Sequence, residues 1–176
     1  MHAARPMDEA LALLLLPSQL EHFALQQHAR ELLSIPRVIA LEPSRVGTPR
    51  FVRDSSAARQ AARLRLPGAL RLLVLYHPAQ YPLARALCSK HEQAELWYVS
   101  PEPGAAPGDA AADLTSFDQL ARERARCTLR VSDGTVLDGG SLRSRLRELE
   151  VISPRAFVPG ARFQTTWLRK GSRRSM

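Results

Sequence analysis

Cysteine is scarce in this sequence. The two present, Cys88 and Cys127, are not in CxxC spacing. This excludes a disulfide framework and a zinc knuckle, and it fits a reducing cytoplasm. Aromatic residues make up only 6% of the chain and are not interleaved with the basic ones, so a base-stacking platform is not indicated. No unbroken apolar run is longer than Ala10 to Leu16, whereas a membrane span needs roughly 20 such residues. Asp8 and Glu9 stand where a secretory leader would carry positive charge, and no small-residue cleavage site follows, so no leader is expected. Neither GxGxxG nor GxxxxGK[ST] occurs, which gives no support for a dinucleotide or P-loop cofactor. His22 and His28 are six apart, not the i, i+4 spacing of a metal pair, so no metal is expected.

What remains is a chain of 176 residues, 45% apolar, the size of one globular domain. That composition excludes a collagen, a long coiled coil and a chain disordered throughout. The net charge is +8, and 23 of the 25 basic residues are arginine. High Arg over Lys together with abundant Ala, Leu and Pro is the compositional bias of a GC-rich bacterial genome. Read as chemistry, the charge points to an anionic partner: a phosphate, an acidic membrane surface or nucleic acid. Eight arginines fall between Arg37 and Arg71 against Glu42 and Asp54 alone. A solvated basic face is the default reading of such a cluster, with lipid phosphate or nucleic acid as the alternatives.

Short apolar runs alternate with helical patterns. Glu9 to Leu16 reads as a buried strand. Ser18 offers an N-cap for a helix over Gln19 to Ser34, which Pro36 ends. Val38 to Leu41 is the next strand, closed by Pro43. Ser55 to Leu66 reads as a short helix, Arg71 to Tyr76 as a third strand, and Pro82 to Lys90 as a helix. Glu95 to Val99 is a fourth strand, followed by a Pro/Gly/Ala loop from Pro101 to Ala112. Thr115 or Ser116 caps a helix to Arg126, Cys127 to Val131 is a fifth strand, and Ser132-Asp133-Gly134 is a turn. Ser141 to Glu150 is amphipathic on Leu142, Leu146 and Leu149, and Ala156 to Val158 is a short sixth strand. From Arg162 onward five residues are basic and none acidic, which suggests fraying or a docking segment.

Strands separated by single helices imply an α/β, doubly wound, mostly parallel sheet of about six strands with helices on both faces. In such sheets ligands bind in the crevice beyond the carboxyl ends of the strands. That rule selects Pro17 to Gln19, Pro43 to Arg45, His77 to Gln80, Ser100 to Glu102 and Ser132 to Gly134. Ser18, Gln19, Arg45 and Ser132 are then candidate substrate-binding residues, and His77, Glu102 and Asp133 candidate catalytic ones. His77 directly follows an apolar strand. Glu102 is the carboxylate just after the fourth strand and a candidate base. Asp133 also has a plain reading as an Asx-turn residue. Gly139-Gly140-Ser141 opens a helix whose free amides suit a phosphate, although a turn with a capping serine explains it too.

The run Leu13-Leu14-Leu15-Leu16-Pro17, the helix end His28-Ala29-Arg30-Glu31-Leu32-Leu33 and the strand Val38-Ile39-Ala40-Leu41-Glu42-Pro43 resemble the opening of GT-B glycosyltransferases. Leu73-Val74-Leu75-Tyr76-His77-Pro78 and Leu96-Trp97-Tyr98-Val99 are similar to their third and fourth strands. Thr128 to Ser132, Leu142 to Leu149 and Ala156 to Gly160 resemble the end of that N-terminal domain. The resemblance covers about residues 10–162 as a pattern of segments without a signature motif. It implies a single Rossmann-like acceptor-binding domain over 1–162 with a basic tail over 163–176. It further implies a glycan or lipid-linked acceptor, with the nucleotide sugar held on a second domain supplied by a protein partner. The basic segments would then approach an anionic carrier or membrane, and nucleic acid is the less favoured partner. A non-enzymatic α/β scaffold subunit is the alternative.

Overall fold

In the computed structural model, residues 9–16, 23–41, 54–100, 111–132, 135–136, 139–152 and 167–168 are described. Five strands form an all-parallel sheet: β1 (Ala10–Leu15), β2 (Val38–Leu41), β3 (Ala69–Leu75), β4 (Glu95–Ser100) and β5 (Cys127–Ser132). Their spatial order is β2-β1-β3-β4-β5. Two-residue strands extend the edges. β6 (Thr135–Val136) runs antiparallel to β5, and β7 (Trp167–Leu168) runs parallel to β2. The parallel core thus has five substantial strands where the sequence suggested about six. The anticipated strand at Ala156 to Val158 lies outside the described residues. The basic tail contributes β7 to the edge beside β2.

The strands are apolar because both faces of a parallel sheet are covered. β1 is buried along its whole length, and its pleat sends alternate residues to opposite sides. Ala10, Ala12 and Leu14 pack beneath α1 (Phe23–Leu33) and α5 (Gly139–Glu148) with Ala24, Leu25, Ala29, Leu32, Leu142 and Leu146. Leu11, Leu13 and Leu15 pack on the other side beneath α2 (Asp54–Arg63), α3 (Tyr81–Lys90) and α4 (Ala111–Arg124). Each helix turns an i, i+3 or i, i+4 stripe inward, such as Ala57 and Ala61 of α2 or Leu83 and Leu87 of α3. Burying each of these leucines contributes about 1.5–3 kcal/mol.

Helix boundaries follow local chemistry. Pro82 stands in the first turn of α3, where its missing N–H costs nothing. α4 starts at Ala111, so Thr115 and Ser116 lie inside it and do not cap it. The alanines before them are strong helix formers and carry the helix past the capping signal. α5 likewise starts at Gly139, so Ser141 falls within its first turn. α5 ends in a left-handed residue, Glu150 (φ 61°), with the Val151 amide donating to the Leu146 carbonyl at 2.9 Å.

Candidate functional site

The chain leaves β1 for β2 on one side and returns to β3 on the other. The order 2-1-3-4-5 therefore has its topological switch point between β1 and β3, at the carboxyl ends of those strands. Because all five strands are parallel, the carboxyl ends of β1 to β5 share one rim. The peptides after Tyr76 and after Val131 are on the same side, as a shared crevice requires.

At the centre of this rim stands His77, half-buried and extended (φ −147°, ψ 133°) at the end of β3. It caps the short 3₁₀ turn Pro78–Gln80, and its Nδ1 accepts a hydrogen bond from the Ala79 amide at 3.1 Å. An Nδ1 that accepts is unprotonated, so the neutral ring carries its proton on Nε2. Three residues on, Gln80 is buried and its Nε2 donates to the Leu16 carbonyl at 2.8 Å. This amide ties the ends of β1 and β3 together at the switch point.

Beside His77 lies a polar cluster that the sequence reading did not identify. The pairing of Leu75 with Tyr98 brings the ends of β3 and β4 side by side. The Tyr98 hydroxyl donates to Asp118 Oδ1 at 2.6 Å. Arg122 Nε donates to Asp118 Oδ2 at 2.7 Å, and Arg122 Nη2 donates to the Ser100 hydroxyl. The guanidinium also sits 5.9 Å from the Tyr98 ring centroid, within cation–π range. Burial, reinforced by the bond to Asp118, pushes the Tyr98 phenol well above its ordinary range. The Asp118–Arg122 half of this cluster was legible as an i, i+4 ion pair. The strand partners were not, because nothing local links Tyr98 and Ser100 to helix residues 20 and 22 positions on.

The other sequence candidates divide as follows. Ser132 is the last residue of β5, where its backbone pairs with Thr135. Ser18, Gln19, Arg45, Glu102 and Asp133 lie outside the described residues. His28 is buried against Tyr76, with Nδ1 2.9 Å from the phenol oxygen. No group of three potential metal ligands occurs among the described residues. No helix among them is long and apolar enough to cross a membrane.

This chain matches no family model, no curated protein and no solved structure.

A second charged centre lies at the opposite rim. Glu95, the first residue of β4, accepts from Arg145 Nε at 2.9 Å, again from Arg145 Nη2, and from Arg126 Nη1 at 3.0 Å. Arg145 also holds Glu148. The bond to Arg145 holds the Glu95 carboxyl below its usual range. These groups join α5 to the start of β4 and are fully engaged in doing so.

Proposed function

We propose that the rim around His77 binds the acceptor of a glycosyl transfer, and that the chain is the acceptor-side half of a two-part GT-B-like transferase. The observation that carries this reading is the imidazole of His77, fixed by the Ala79 amide at the switch point where sheets of this class take their ligands. Holding reactants in register accounts for a large part of a transfer rate. Deprotonation of the acceptor falls to a carboxylate, with Glu102 and Asp133 as the candidates the sequence offers. The diphosphate of the donor is left to a partner domain, because the sequence has no phosphate-binding loop of its own. The excess of arginine suits a phosphate-bearing lipid carrier.

Isothermal titration of the full chain against glycans and polyprenyl-phosphate-linked sugars tests this. Binding of one acceptor class, weakened about tenfold by His77→Ala as expected for loss of a ligand hydrogen bond, supports it. No binding of any acceptor rejects it. Transfer from a nucleotide sugar by the chain alone rejects the two-part arrangement.

One observation favours a different reading. The Gln80 amide is itself buried in the notch between β1 and β3. A switch point closed by its own side chain suits a subunit that binds a protein partner elsewhere. Acceptor binding that is absent while a stable stoichiometric complex forms would establish that reading.

A further inference from the structure

Gln80 stands in the notch between β1 and β3 with only half of its amide in use. The residue is 9% exposed, and its Nε2 donates to the Leu16 carbonyl at 2.8 Å. A carbonyl oxygen only accepts, so the amide cannot be turned over: the atom facing Leu16 is the nitrogen. The amide oxygen is bonded to the same carbon and therefore lies at the same strand end. This Oε1 is sealed from solvent and has no hydrogen-bond partner among the described residues. It is not used on the helix that follows, for Gln80 is the N-cap of α3 and its side chain makes no capping bond. Buried acceptors are paired in the great majority of cases, because an unpaired one loses its hydration and gains nothing in return. An acceptor left in this state at the switch point, where sheets of this class take their ligands, marks a place for a donor.

We propose that Gln80 is a specificity-determining residue of the rim, and that its Oε1 accepts a hydrogen bond from a neutral hydroxyl of the bound ligand. The inference rests on the acceptor reading and deepens it by naming the group that enters the notch. A phosphate or carboxylate oxygen sets a second acceptor against Oε1 and is rejected there. An apolar group leaves Oε1 unpaired. An ammonium group finds no counter-charge, since the Gln80 amide and the Leu16 carbonyl are both neutral. A hydroxyl pairs with Oε1 without bringing charge into a buried place. Discrimination of this kind is strong, because a ligand that lacks the hydroxyl leaves the buried acceptor unpaired. Since Oε1 is sealed, entry of the hydroxyl requires a local opening of the Pro78–Gln80 turn.

The test uses the isotope-labelled full chain, the methyl glycosides of glucose, galactose, mannose and N-acetylglucosamine with their monodeoxy analogues, and inorganic phosphate. The side-chain amide signal of Gln80, assigned through its backbone, reports on Oε1. A glycoside that shifts the backbone amides of Leu75 and His77 should shift this signal saturably, and phosphate should not. Removal of one hydroxyl should weaken binding about tenfold in the native chain and have no effect in Gln80→Met. Thermal melting checks that Gln80→Met folds, and the deoxy series on the native chain decides the matter if it does not. Rim amides that shift while the Gln80 signal stays still, equal binding of every deoxy analogue, or a deoxy penalty that persists in Gln80→Met overturns the inference and leaves the acceptor reading standing. A shift of the Gln80 signal with phosphate overturns it in favour of an anion site. No shift of rim amides with any glycoside removes the acceptor reading and this inference with it.

Discussion

His28 on α1 and Tyr76 at the end of β3, 48 residues apart, share a buried hydrogen bond of 2.9 Å between Nδ1 and the phenol oxygen. It is a polar link inside an otherwise apolar layer, with the ring centroids 5.9 Å apart. Tyr76→Phe keeps the shape but leaves Nδ1 of a buried ring without its partner. Urea unfolding should show a loss of about 1–3 kcal/mol.

The same histidine gives a pH dependence. Burial holds its pKa below 6.5, with Glu31 opposing and Arg143 adding to the shift. The unfolded chain therefore takes up the proton first as pH falls. The contribution of His28 is complete above pH 6.5 and declines as the pH drops from there toward the folded pKa. His28→Leu should flatten that part of the stability profile, as measured by unfolding at a series of pH values, whatever its effect at neutral pH.

Tyr76 and Tyr98 are two of the three tyrosines, and burial lifts both phenols far above the ordinary value of 10.0. Absorbance titration of phenolate should therefore show these two ionising only together with alkaline unfolding, as followed by circular dichroism. Their smooth titration in a folded chain would contradict the packing described for both.

Gly68 precedes β3, and a side chain there would overlap the Glu9 carbonyl oxygen, which accepts from the Ala69 amide at 2.9 Å. Gly68→Ala must displace that backbone beside the register shift at Leu11/Ala12. Overpacking of this kind costs about 1–3 kcal/mol and should be visible as a lower denaturant midpoint.

Glu150 offers the opposite case. Its φ of 61° is a backbone conformation that favours glycine, at the end of α5. Glu150→Gly should raise stability by up to about 1 kcal/mol, read as an increase of a few degrees in Tm.

The strands were the most legible part of the fold. A strand covered on both faces must be apolar throughout, and β2 has the limits that its run of Val38 to Leu41 suggested. Helix starts were less legible. Thr115 and Ser116 imitate a cap, while the helix actually begins in the alanines before them. Strand order was not readable at all, because the choice of side for each crossover depends on packing between distant segments. His77 could be placed from its position after an apolar strand. The bond that fixes its ring could not, since that follows from the turn geometry that gives Nδ1 to the Ala79 amide.

The place of β1 between two neighbours has a consequence for how the chain is made. Its two neighbours are β2 and β3, and β3 ends at Leu75. At typical ribosomal speeds the oily hexapeptide Ala10–Leu15 waits on the order of seconds before its second flank emerges. Nascent copies crowded on one message would therefore expose the same sticky segment together, and a holding chaperone bound to it should raise the yield.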